Sequence, residues 1–343
     1  MSVDERESVD DRPTDPSSQR PTDSTSRQGQ LPTDPDATPS RLGGRYELRS
    51  VLGRGGMATV WRALLHGEAG FRRDVAIKQL LPGIDGSEEI ATMFVEEARV
   101  VSALQHPNVV QVFDFGRDDE GRYFIVMELV EGLDLGTFIV RHVRQKRAAA
   151  WPIVATIGID VLRGLASAHE RRDEHGVRAP VFHRDLTPSN VLVSRYGVAK
   201  LADFGLARAA DRATVTAPGI VKGKLAYVAP EMVAGARASA ASDLYSFGIV
   251  LWEALASRRV HDDVSEVELF VRVGRGEIPS IGGEREGLPR GLVAVVDRLL
   301  AKHPGERYAT AREAQLALVN VLRLEREHVS TEDVASYLAT LAS

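Results

Sequence analysis

The chain has 343 residues, 43% hydrophobic and 27% charged, with a formal net charge of −5. That is enough for one large domain or two lobes around a cleft, in an ordinary globular composition, and the negative balance gives no reason to expect nucleic acid or an anionic membrane surface as a partner. Cysteine is absent, which excludes disulfides, thiolate metal sites and cysteine nucleophiles and fits a reducing cytoplasm.

Residues 1–44 are rich in Pro, Ser, Thr, Asp and Arg, repeat the phrase PTD at 13–15, 21–23 and 32–34, and hold few large apolar side chains. Such a segment buries too little surface to offset its ordering entropy, so it reads as a disordered, solubilising tail, with docking or phosphorylation as the alternative use. The acidic start MSVDERESVDDR lacks the apolar core of a signal peptide. No stretch reads as a membrane helix; the best candidate, 244–256, is short and contains Glu253. A soluble cytoplasmic protein is the expectation.

Order is expected from RYELRSVLGRGGMATVWRALL onward, as two strands joined across a glycine-rich loop, with RDVAIKQL (73–80) as a third strand. A helix follows over about Ser87 to Leu104, with Ser87 as its N-cap. FDFGRDDEGRYFIVMEL reads as two more strands around the DDEG turn. After Gly132 the pattern turns helical: 151–170, then near 242–256, 289–302 and 309–324, with TEDVASYLATLA as a last short helix. The expected fold is α+β: a small antiparallel sheet lobe with one main helix over residues 45–129, a larger, mostly helical lobe over 130–323, and a helical extension over 324–343.

Chemistry concentrates between the lobes. LGRGGMATV (52–60) places three glycines in four residues, and such loops let backbone N–H groups approach phosphates. Lys78 ends a strand in VAIK. On the next helix Ile90, Phe94, Val101 and Leu104 share a stripe with Glu97 in its middle, while Glu96 points away. A carboxylate on a core-facing stripe needs a cation, and Lys78 is the candidate. In VFHRDLTPSN (181–190), Asp185 and Asn190 can serve a hydroxyl acceptor and a divalent metal; ADFGLA (202–207) adds Asp203, eighteen residues after Asp185, as the main metal ligand. GKLAYVAPE (223–231) precedes SDLYSFG (242–248); Glu231 and Arg307 are a candidate buried pair, and Asp243 is placed to accept from catalytic-loop N–H groups.

These motifs, in this order, resemble the bacterial eukaryotic-like (Hanks-type) serine/threonine protein kinases over about residues 46–323. The resemblance implies the two-lobed protein-kinase fold and transfer of the ATP γ-phosphoryl group to protein hydroxyls in intracellular signalling, with ATP and Mg²⁺ (or Mn²⁺) as cofactors. Lys78 would hold the α/β-phosphates and pair with Glu97, Asp185 would orient the acceptor, and Asn190 and Asp203 would bind the metal. Leu52, Gly53, Gly55 and Gly56 would cover the nucleotide. Val60, Ala76 and Leu192 would sandwich adenine, Glu128 and Val130 would be hinge contacts, Met127 the gatekeeper and Asp134 the ribose contact. Protein substrates are the implied partners, with a small-lobe homodimer by analogy, and neither nucleic acid nor membrane.

The chain departs from the family at Ala58 (usually the third glycine), at Thr187 (usually lysine) and at Lys224 (usually threonine). The last two read as an exchange in which Lys224 supplies, from the activation segment, the charge missing at Thr187. Arg184 before Asp185 implies a phosphate acceptor in that segment, and Thr214 and Thr216 are the expected autophosphorylation sites. The rivals are a pseudokinase scaffold or ATP-binding regulatory module, a small-molecule phosphotransferase, and a tyrosine-directed enzyme.

Overall fold

The computed structural model describes residues 41–83, 88–204, 222–262 and 264–341. The tail through Ser40 and Ser87, the expected helix cap, lie outside them.

Alternating half-buried strands build the small lobe: β1 (Arg41–Leu42), β2 (Tyr46–Arg54), β3 (Ala58–His66), β4 (Arg72–Leu80), β5 (Val112–Arg117) and β6 (Tyr123–Glu128) form one antiparallel sheet in the order β1-β2-β3-β4-β6-β5. Order begins earlier than the sequence indicates, because Leu42 pairs with Tyr46 and both are buried beneath the sheet with Val75 and Phe124. The Asp118 carboxylate accepts from the N–H groups of Glu120 and Arg122 and so fixes the DDEG turn. On the other face, α1 (Glu88–Ser102) seats Phe94 and Ala98 against Leu80 and Ile125.

Register decides what that face presents. Val60 pairs with Lys78, Ala76 with Met127 and Lys78 with Ile125. Side chains two apart, or directly opposite, share a face, so Val60, Ala76, Lys78 and Met127 line one surface with α1 beside it.

In the large lobe a short sheet, β7 (Gly132–Asp134), β8 (Val191–Ser194) and β9 (Ala199–Leu201), lies beside the helices. Between β7 and β8 come α2 (Leu135–Gln145), which the sequence reading did not single out, and α3 (Trp151–His169). By length and composition α3 could cross a membrane, more readily than 244–256, yet most of it is buried inside this lobe, where Leu162 and Leu165 are fully enclosed.

The chain continues through α4 (Lys222–Leu225), α5 (Pro230–Val233) and α6 (Ala240–Ala256), whose start is closed by a reciprocal Ser239/Ser242 capping box. Then follow α7 (Glu266–Arg275), α8 (Ile281–Glu284), α9 (Arg290–Leu299), α10 (Ala311–Leu324) and α11 (Thr331–Leu341). The last helix is integral to the lobe: Val334, Leu338 and Leu341 join the main core, and the Tyr337 hydroxyl accepts from Ala150 N at 2.9 Å.

Candidate active site

Lys78 is the hinge of the site. Its ammonium donates to Glu97 Oε1 at 2.9 Å and to Asp203 Oδ1 at 3.0 Å, joining β4, α1 and the strand end after β9. Glu97 is buried on the α1 stripe, whereas Glu96 is exposed, as the periodicity requires. Burial disfavours the charged lysine, but Asp203 and Glu97 together outweigh it and hold Lys78 protonated above the ordinary range. Lys78 likewise holds Asp203 below the usual carboxylate range. Burial pushes Glu97 up, against the pull of Lys78.

Asp203 sits at φ 52° and Arg184 at φ 64°, both left-handed and costly for residues with a Cβ. The fold holds them there. Asp243, buried at the start of α6, accepts from His183 N at 2.7 Å, Arg184 N at 3.0 Å and His169 Nε2 at 2.8 Å. His183 Nε2 donates to Ala202 O at 3.1 Å, and its ring stacks on Phe204 with centroids 4.6 Å apart. Burial keeps that imidazole neutral, below its usual pKa. His169, His183 and Phe204 had no assigned role in the sequence reading; their signal was the HRD and DFG phrases that contain two of them.

Asn190 Nδ2 donates to the Asp185 carbonyl at 2.7 Å and thereby closes the loop around Asp185. That orientation leaves the amide oxygen without a described donor, and Asp203, its side chain about two-fifths exposed, keeps its second carboxylate oxygen in the same condition. Two hard oxygens suit Mg²⁺, which takes one or two protein ligands and completes its shell with waters and phosphates. No group of three or more His, Cys, Asp or Glu able to hold a metal alone occurs among the described residues.

The glycine loop has its own signature. A Cβ at Gly53 or Gly56 would meet nothing within 4 Å, and neither residue has a positive φ. The fold itself does not demand glycine there, so close approach of a ligand is the remaining physical reason. Gly55 N donates to Ala58 O at 2.9 Å across the turn, and Leu52 stands half exposed before it. Behind Met127 a cavity is lined by Lys78, Glu97, Val112, Leu201, Asp203 and Phe204.

Leu192 pairs with Asp134 across β7 and β8, which brings the adenine-floor and ribose candidates side by side. Asp134 is also the N-cap of α2, accepting from Thr137 N at 2.9 Å and from the Thr137 hydroxyl at 2.6 Å. The Glu128 carboxylate takes Lys200 Nζ at 3.0 Å, and Val130 lies half-buried just beyond β6. Lys224 reaches Asp185 Oδ2 at 2.6 Å from α4. Thr187 is buried, its hydroxyl 2.9 Å from Ser189 Oγ. Thr214 and Thr216 lie outside the described residues. Arg184 is half-buried, and its Nε and Nη1 have no partner among the described residues.

Comparison with known proteins follows the same outline. The family model described as protein tyrosine and serine/threonine kinase matches residues 46–310. The tyrosine-protein kinase MasK of Myxococcus xanthus is 37% identical over 287 residues, covering 84% of this chain and 44% of that protein. The serine/threonine-protein kinase PrkC of Bacillus subtilis is 32% identical over 286 residues, covering 83% and 42%. The chain thus spans less than half the length of these two relatives. The crystal structure of the Mycobacterium tuberculosis PknI kinase domain aligns with a TM-score of 0.61 at 27% identity, covering 83% of this chain and 98% of that one.

Proposed function

From the premise that the chain belongs to the protein tyrosine and serine/threonine kinase family, in its bacterial Hanks-type branch, we propose that it transfers the γ-phosphoryl group of ATP to serine or threonine hydroxyls of proteins, its own activation segment included. The observation that carries the reading is the continuous chain Glu97–Lys78–Asp203, at 2.9 and 3.0 Å, tied to the Asp185 loop where Ala202 N donates to Asn190 O at 2.9 Å and Asn190 Nδ2 to Asp185 O at 2.7 Å. A scaffold that only bound nucleotide would need neither Asp185 nor its closed loop.

In this mechanism Lys78 binds the α/β-phosphates with the donor its two carboxylates leave unused. Gly53, Gly55 and Gly56 admit the phosphates to the backbone N–H groups of the loop, and Val60, Ala76 and Leu192 enclose adenine against the hinge residues Glu128 and Val130. Asp134 holds the ribose. Asn190 and Asp203 would hold Mg²⁺, which neutralises phosphate charge when bound. Asp185 accepts a hydrogen bond from the attacking hydroxyl and orients it in line with the γ-phosphorus.

The buried guanidinium of Arg184 supports activation-segment phosphorylation, since burial disfavours its charge and an anion would restore it. Thr214 and Thr216 are the proposed acceptors. A cytoplasmic location for the catalytic domain is part of this proposal, because ATP is its phosphoryl donor. A tyrosine acceptor is the second reading, favoured by the name of MasK and by Thr187 in place of lysine.

The test is intact mass with phosphosite and phosphoamino-acid mapping after incubation with Mg²⁺ and ATP, beside an Asp203→Ala control. Phosphothreonine at 214 or 216 in the unmutated protein alone supports the reading. Phosphotyrosine alone favours the second, and ATP binding with no added mass favours a scaffold.

A further inference from the structure

The site holds one charged contact that the family outline does not provide. The side chains of Asp185 and Lys224 meet across a sequence separation of 39 residues at 2.6 Å. The position two residues after Asp185 carries no charge: Thr187 is buried and its hydroxyl is engaged with Ser189. Lys78, for its part, is shared between Glu97 and Asp203.

Resting on the kinase reading above, we propose that Lys224 is the catalytic cation of the phosphoryl-transfer step, delivered by the activation segment to the place a catalytic-loop lysine would fill. Three features support it. Thr187 and Lys224 line the same cavity beside Asp185, together with Gly136, Ser189 and Tyr227, so a side chain from either position opens on the same space. Lys224 also meets Asp185 where Asn190 Nδ2 closes the same loop on the Asp185 carbonyl at 2.7 Å, so the ammonium sits beside a loop whose backbone is held.

The third feature is support from behind. Leu225 is buried against Val264, Leu269 and Val273, the Tyr227 hydroxyl donates to Glu253 at 2.8 Å, and Ser246 Oγ donates to Tyr227 O at 2.7 Å. The backbone carrying Lys224 is therefore pinned to α6 and α7, while its side chain stays about one-third exposed. A merely solvated loop lysine would have neither anchor nor acceptor, and ordering its long stem would cost rotamer entropy for no gain.

During transfer the acceptor oxygen forms its bond to the γ-phosphorus as the bond to the β–γ bridging oxygen breaks, and ADP leaves. The hydroxyl proton passes to Asp185 and then to solvent. Lys224 gives up no proton in the step: its ammonium hydrogen-bonds the transferring phosphoryl oxygens while holding the Asp185 side chain in place. Nothing is oxidised or reduced.

The experiment measures kcat and the KM for ATP in the full chain, together with ADP affinity and thermal midpoint. It compares the unmutated protein, Asp203→Ala, Lys224→Ala, and the exchange Thr187→Lys with Lys224→Thr. Lys224→Ala is expected to lose about 10²–10³-fold in kcat, as for removal of one donor at developing charge, with KM for ATP within about threefold. The exchange is expected to recover at least about tenfold of that loss, because the lysine enters the same cavity. Full activity or a gain in Lys224→Ala overturns the proposal alone. So does an exchange variant no better than Lys224→Ala while ADP affinity and thermal midpoint match the unmutated protein. An unmutated protein with no more transfer than Asp203→Ala overturns the kinase reading and this proposal with it.

Discussion

Two buried ion pairs, Arg307 with Glu231 and Lys78 with Glu97, start from the same charges and are finished differently. Arg307 is saturated: Nη1 and Nη2 grip the two Glu231 oxygens at 2.7 and 2.8 Å, and carbonyls of Ala301, Ala241 and Lys302 take the remaining N–H groups. All five guanidinium donors are used. Lys78 divides its ammonium between two carboxylates on different elements, keeps a donor unused among the described residues, and faces a cleft. A saturated pair can only hold the fold, whereas an unsaturated one has capacity left for a ligand.

That contrast gives the largest expected effects, and they separate cleanly. Arg307→Ala leaves the half-buried Glu231 without its partner and three carbonyls without their donor, and should cost about 3–5 kcal/mol in denaturant unfolding. Asp203→Asn, which keeps a residue tolerant of the left-handed backbone and leaves Lys78 its Glu97 partner, should cost clearly less stability than Arg307→Ala. It should nevertheless lower phosphoryl transfer by at least about 10³-fold. If both variants lose stability equally, the distinction between framework and site is wrong.

Asp243 lies between the two classes. Its carboxylate is saturated by His183 N, Arg184 N and His169 Nε2, yet what it holds is the catalytic loop, with Arg184 in a strained conformation. Asp243→Asn turns one acceptor into a donor facing a donor. Unfolding should register about 1–3 kcal/mol, and kcat should fall about tenfold or more with little change in the KM for ATP. A stability loss without the kcat loss would make Asp243 part of the framework only.

The parts of this design legible in the sequence were those with a local pattern. The α1 stripe, with Glu97 inside it and Glu96 outside, follows from helical period alone, and the Glu97–Lys78 pair follows from the cost of burying a carboxylate. β7 and the burial of Leu42 were not legible, because a three-residue strand and a two-residue edge strand carry no period to read; α2 does carry one, in Leu135, Phe138, Ile139 and His142, and was passed over. Asp134 illustrates the limit of motif reading: placed at the ribose by resemblance, it also caps α2, a role that only the helix reveals. The contact of Lys224 with Asp185 was expected from two compensating departures, not from either one alone.

Acid sensitivity should expose a third, intermediate kind of buried group. His142 Nδ1 donates to Phe138 O at 2.9 Å and Nε2 accepts from the Tyr337 hydroxyl at 2.8 Å, a pattern that only the neutral ring satisfies. Burial lowers the pKa of His142 and of His183. The unfolded chain therefore binds these protons first as pH falls, so their contribution is complete above about pH 6.5 and is lost progressively below it toward the lowered folded values. Each group in that window contributes a slope of up to about 1.4 kcal/mol per pH unit. Thermal midpoints measured from pH 7.5 to 5 should fall, and His142→Gln should flatten the fall. A variant with an undiminished slope would mean that α11 is not held through a neutral imidazole.

The smallest expected change in stability is also the sharpest probe of an unsaturated site. At Gly53 a Cβ meets nothing within 4 Å and the backbone is not left-handed. Gly53→Ala should thus leave unfolding unchanged or raise it by about 0.4–1 kcal/mol, through reduced freedom of the unfolded chain. If the glycine is there because phosphate oxygens approach the backbone, the same methyl group should raise the KM for ATP several-fold. Stability measured without nucleotide and affinity for ATP would then move in opposite directions. Such opposition is the mark of a residue kept for a ligand the folded chain does not itself supply. Equal ATP affinity in the two proteins would instead make the loop an ordinary hairpin turn.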